Sequence, residues 1–173
     1  ASSGSAKWNL LAPFAAKSDG GRNPQAGLDY IAELVRDHIT VQPKSGREAT
    51  TAFEQGQGDV LISYENEAIM LTRGGDEQRQ QVEYLLPPQT FKIENPVAVV
   101  NTSTDKPAAK AFIDFRFSPQ AQSLWAQAGF RPVIPEVIAQ TPALFPGQTA
   151  KLWTIAELGK VLGEGTAQEN DGK

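Results

Sequence analysis

Three short segments carry the residue types from which an anion site can be built. Residues 2–8 read Ser-Ser-Gly-Ser-Ala-Lys-Trp, residues 45–48 read Ser-Gly-Arg-Glu, and residues 63–67 read Ser-Tyr-Glu-Asn-Glu. The first two set serine and glycine just ahead of stretches with helical character. The first N–H groups of a helix lack partners inside it, and the macrodipole concentrates roughly half a positive charge there. Glycine lets a ligand approach the backbone, and serine adds a neutral hydroxyl donor. Together they suit a tetrahedral oxyanion. Each segment also has a plain structural reading. Ser45 with Glu48 forms a capping-box pattern that accounts for itself without a ligand. Residues 2–8 suit a frayed terminus equally well. Tyr64 follows an apolar run, where an aromatic is more often packing than contact.

Other chemistries are poorly served. The chain has no cysteine and a single histidine, His38, so thiolate catalysis, disulfides and His-rich metal sites are excluded, and no cofactor is called for. His38 falls near the end of an expected helix, where a cation suits the dipole. Glu65 and Glu67 stand two apart on an expected strand and so share a face, as an acid/base pair would. Solvent exposure explains that spacing better, and the chain is not expected to be an enzyme.

The 173 residues are 40% hydrophobic and 21% charged, enough for one folded unit with a real core, and the net charge of −4 argues against a nucleic-acid partner. A weak global charge does not oppose a small anion, because local amide dipoles outweigh it. No stretch approaches a membrane span. No signal peptide opens the chain, which reads as a mature fragment or an excised domain.

The elements that must position these residues alternate. Residues 6–16 read as a helix interrupted by Pro13, and residues 17–24 as a loop. Leu28, Ile31, Leu34 and Val35 recur at helical spacing within 25–38. Residues 39–43, 59–68, 82–88 and 91–103 read as strands, with Val97 to Val100 at the centre of the last. Residues 45–56 form a short helix. Residues 106–130 form two, the first with Ala109, Phe112, Ile113 and Phe117 on its apolar face and the second restarted by Ser118 and Pro119. Residues 130–137 are expected to be extended and 152–159 a short helix. This alternation predicts a three-layer α/β unit over 1–162 with a mostly parallel central sheet, and a disordered polar tail over 163–173. Ligands of such sheets sit at the carboxyl ends of the strands, where all three segments would meet.

The segments "SGSAKWNLL", "SGREATTAFEQGQGDVLISYENEA", "NPVAVVNTS", "AFIDFRFSPQAQ" and "GFRPV" occur in that order. With them the chain resembles the sulfate-binding proteins of ABC importers and the related thiosulfate binders. The resemblance runs from about Ser2 to about Leu158. It implies a class II periplasmic-binding-protein fold, two lobes closing on the anion, of which this chain carries the second lobe and the returning C-terminal portion. It implies a dehydrated dianion held by neutral donors. Ser3, Gly4 and Ser5 match the family's donors before the first helix, Gly46 its amide donor before an arginine, and Tyr64 its indole donor. Ser5 stands where the family has glycine, and Tyr64 where it has tryptophan. Arg47, with Ser45 beside it, matches a residue that braces the loops without touching the ligand.

The partners implied are sulfate or thiosulfate and a membrane ABC permease, in the periplasm or an equivalent extracytoplasmic space. Phosphate carries a proton and needs an acceptor carboxylate, and none lies within residues 2–9. Molybdate and tungstate share the geometry of sulfate and stay open as alternatives. The lone second lobe is expected to bind sulfate weakly, or not at all. It is also expected to self-associate as a homodimer through apolar surface, including Trp8 and Tyr64, that a first lobe would cover.

Overall fold

The computed structural model describes residues 3–73, 82–145 and 150–170. The backbone divides into two compact units. The described residues of Ala1–Tyr64, Leu85–Ile93 and Thr149–Lys173 form unit 1, and those of Glu65–Tyr84 and Glu94–Gln148 form unit 2. The sequence reading expects a single lobe over 1–162.

Unit 1 opens with α1 (Gly4–Lys17), capped by Ser3, whose hydroxyl accepts from the Ala6 N–H. Pro13 does not interrupt it. The chain stays helical because the turns around the proline are held by packing: Ala15 is fully buried, and Trp8, Leu11 and Phe14 pack on the cluster it joins with Phe91, Trp153 and Leu158. Helix α2 (Pro24–Glu33) starts at Asn23 and relaxes into a π turn, Leu34–His38, that leaves His38 exposed. Gly27 sits where α2 crosses α1, since a Cβ there would stand 2.6 Å from the Phe14 ring. Helix α3 (Gly46–Glu54) is capped as expected, Ser45 Oγ accepting from the Glu48 N–H.

The sheet is smaller than expected. Strands β1 (Gln89–Phe91) and β2 (Lys151–Trp153) pair in parallel, with Phe91 opposite Trp153. Residues 39–43, 59–64, 82–88 and 97–100 make no ladder among the described residues. Their apolar runs are those of strands buried on both faces, and such strands exist only with neighbours on each side. Val60 is accordingly 82% exposed. The fold is therefore α/β but helix-rich. Residues 152–159, expected as a helix, are divided between β2 and α8 (Ile155–Asn170), which runs past Gly163, where the sequence predicts a disordered tail. Residues 171–173 of that tail lie outside the described residues.

In unit 2, α4 (Glu65–Arg73) replaces the continuation of an expected strand, so Glu65 and Glu67 lie in the first turn of a helix rather than along one strand face. Helices α5 (Lys106–Arg116) and α6 (Pro119–Gln127) start at the caps Asp105 and Ser118. Helix α7 (Pro135–Gln140) begins within residues 130–137, expected to be extended, and runs beyond them. Ile69, Ala126, Val137 and Phe145 form the core, joined by Tyr84, Ile134 and Leu144.

Candidate functional site

The start of α1 is built to present donors. Ser3 satisfies the Ala6 N–H at 3.4 Å, which leaves the N–H groups of Gly4 and Ser5, at the first two helical positions, without an acceptor inside the helix. The Oγ atoms of Ser3 and Ser5 lie 2.9 Å apart in a hydrogen bond that either can donate, so the other hydroxyl keeps its own proton to offer. Ser5 is only 8% exposed, while Gly4 is exposed beside it. No acidic residue occupies the first turn. The positive end of the dipole is thus not neutralised by carboxylates of its own helix start.

Tyr64 comes to the same place. A Cβ built on Gly4 would stand 3.6 Å from the Tyr64 hydroxyl, an ordinary contact, so the phenol reaches the first turn of α1. The segment carrying it is tied to that helix by Asn9, whose Nδ2 donates to the Ile62 carbonyl at 3.0 Å. Asn9 is not among the residues that the sequence reading singles out. Its signal is present there all the same: it stands four residues after Ser5 and so on the same helix face. Trp8 is half-buried. It packs into the unit 1 core, with its ring 5.5 Å from that of Phe91.

Ser45, Gly46 and Arg47 form a second group at the start of α3. Gly46 takes the first helical position, as an amide donor requires. Arg47 is exposed and lines a shallow depression of about 380 Å³ together with Ser45, Glu48, Thr51, Ala52 and Gln55. Glu48 Oε2 accepts the Lys44 N–H at 3.0 Å, so the carboxylate serves the helix start. The structure therefore joins Ser3, Gly4, Ser5 and Tyr64, and keeps Ser45, Gly46 and Arg47 as a group on their own helix.

Within unit 2, Glu65 is held by three donors. Arg131 approaches it through Nε and Nη2, both at 2.7 Å, and the Tyr84 hydroxyl donates at 2.6 Å. Partial burial opposes the charge, but the Arg131 and Tyr84 hydrogen bonds outweigh it and hold the carboxyl below the usual carboxylate range. Burial and the Glu65 carboxylate both push the Tyr84 phenol well up. Glu65 is thus engaged by Arg131 and Tyr84, and the shared strand face on which its pairing with Glu67 is expected is a helical turn instead.

Residues 1–131 match the family described as bacterial extracellular solute-binding protein. The chain belongs to that family. It is 38% identical over 162 residues to the sulfate-binding protein of Synechococcus elongatus, covering 91% of this chain and 45% of the relative. It is 34% identical to the thiosulfate-binding protein of Escherichia coli, over 83% of this chain and 44% of the relative. Among solved structures, the sulfate-binding protein SubI from Mycobacterium tuberculosis H37Rv superposes with a TM-score of 0.78 at 63% identity, covering 89% of this chain and 52% of that one. The chain thus spans about half the length of the curated relatives it matches. No helix among the described residues is long and apolar enough to cross a membrane.

Proposed function

We propose that this chain supplies one side of the anion site of a periplasmic solute-binding protein that delivers sulfate or thiosulfate to an ABC permease, and that it catalyses no reaction. The observation that carries the reading is the acid-free start of α1, where the amides of Gly4 and Ser5 and the hydroxyls of Ser3, Ser5 and Tyr64 are gathered. All of these donors are neutral. A dianion stripped of water is stabilised by such dipoles without a counter-charge, because each acts at short range in a low-dielectric setting. The Gly46 amide adds a donor from α3, with Ser45 and Arg47 supporting that helix start. The relatives named above as sulfate- and thiosulfate-binding proteins favour these two anions over phosphate and molybdate. The absence of a carboxylate from the first turn counts against phosphate in particular, since protonated phosphate needs an acceptor.

The test is isothermal titration of the full-length natural protein with sulfate, phosphate and molybdate at low ionic strength. Sulfate-selective heat is expected. Equal heats for all three, or phosphate preferred, would sink the reading. The 173-residue chain by itself is expected to bind more weakly than the full-length protein, since a half-open site leaves the anion partly hydrated. With Val100, Phe112 and Phe117 exposed, it is also expected to self-associate, which sedimentation over a range of concentrations would read.

A further inference from the structure

Tyr64 reaches the start of α1 at the end of an open stretch of unit 1. Gly56 and Gly58 have φ of 81° and 86°, and a Cβ built on either would meet nothing within 4 Å. Val60 and Ile62, which follow, are both exposed. Residues 59–64 make no ladder among the described residues, so no sheet sets the course of this stretch. A side chain of α1 reaches it instead. Asn9 Nδ2 donates to the Ile62 carbonyl at 3.0 Å, across 53 residues of sequence. Two residues on, the Tyr64 hydroxyl stands 3.6 Å from the position a Cβ of Gly4 would take. The two contacts are five residues apart on α1, about 7.5 Å along its axis. The stretch therefore meets the helix at two separate points, and the second is the helix start. All of these residues belong to unit 1.

Asparagine suits the first point. Its amide donates to a carbonyl without bringing a charge near the anion, and an aspartate there would set acceptor against acceptor. Asn9 stands one turn after Ser5, on the same helix face, so the tie lies on the flank of α1 that leads to the gathered hydroxyls. Only Ser63 separates the bonded carbonyl from Tyr64, which leaves the backbone little slack between them. A phenol left to wander would have to be ordered by the ligand, at a cost in affinity; one already tied to the helix bears that cost in folding.

We propose that Asn9 is a positioning residue for anion binding: its amide holds the Ile62 carbonyl against α1 and so sets the Tyr64 hydroxyl at the helix start. The proposal rests on the sulfate reading above. Asn9 lies more than a turn into the helix and acts through Tyr64, without itself serving as a donor to the ligand.

The experiment is a double-mutant cycle read by sulfate titration and thermal unfolding of the full-length natural protein. Tyr64→Phe alone is expected to weaken sulfate about tenfold, the effect of one lost hydrogen bond to a charged ligand. Asn9→Leu, which keeps the size of the side chain and removes the donor, is expected to weaken it about fivefold in the native background and less than about twofold in the Tyr64→Phe background, because residues acting through one contact couple. Asn9→Gln, which returns the amide on a longer stem, is expected to recover part of the loss. Equal losses from Asn9→Leu in both backgrounds, an Asn9→Gln protein no tighter than Asn9→Leu, or a fall in thermal stability with affinity unchanged would each overturn the positioning role while leaving the sulfate reading intact. A native protein that gives no sulfate heat overturns that reading and the proposal with it.

Discussion

Helices α1 and α3 both begin at a serine followed by a glycine, and the two starts are used differently. At α1, Ser3 caps one amide and its hydroxyl is hydrogen-bonded to that of Ser5, and no acid enters the first turn. At α3, Ser45 caps the Glu48 N–H while Glu48 turns back to the Lys44 N–H. The second helix start uses its own carboxylate on its own amides. The first leaves its field uncompensated, and a nearby phenol is brought to it. The same local motif thus yields a self-compensated cap in one place and open donors in the other, and the deciding residue is the third in the helix: Ala6 in α1, Glu48 in α3.

That contrast can be broken most severely by charge. Ser3→Asp keeps a competent cap but sets a carboxylate among the donors, and sulfate affinity is expected to fall more than about a hundredfold. A titration showing only a few-fold loss would mean that the anion does not sit at α1. Gly46→Pro is a sharper probe of α3. Proline is favoured at the first helical position and Ser45 already has the extended backbone (φ −145°, ψ 161°) that precedes it, so the helix survives while one amide donor disappears. Affinity is expected to drop about tenfold with helicity unchanged by circular dichroism. An unchanged affinity would reduce α3 to a structural element. Ser45→Ala should show the opposite balance, costing about 1 kcal/mol of stability in denaturant unfolding with affinity held within about twofold.

The smallest effect expected is that of pH on binding. The gathered donors at α1 are neutral amides and hydroxyls with no acid in the first turn, so sulfate affinity should be flat between about pH 5 and 8. Stability should respond only in acid. The Glu65 carboxyl is held below its ordinary range, so its contribution is complete above the unfolded value near about pH 4 and is lost as the pH falls through the lower folded value. Glu65→Gln should flatten that acid limb in thermal unfolding followed as a function of pH.

Features fixed by neighbours in sequence were legible from residues alone. Ser45, Ser118 with Pro119, and the break between α5 and α6 follow from capping chemistry within a single helical turn. The candidate donors at Ser3, Gly4 and Ser5 were legible for the same reason. Features fixed by distant partners were not. Residues 97–100 have a strand's composition but find no ladder, whereas the less apolar Gln89–Phe91 pairs with the remote Lys151–Trp153. Glu65 reads as one of two strand carboxylates until Arg131, 66 residues on, is seen to hold it. Pro13 reads as a break because the packing that keeps α1 continuous comes from Phe91 and Trp153, which no local window contains.

The core of unit 1 joins Ala15 to Phe91, Trp153 and Leu158. Its buried residues therefore come from segments as far apart in the chain as α1 and α8, with the two short strands β1 and β2 between them. During synthesis α1 emerges long before its packing partners, and the start of that helix has no finished core beneath it until β2 and α8 have left the ribosome. A nascent chain halted before Trp153 should therefore carry α1 without its core.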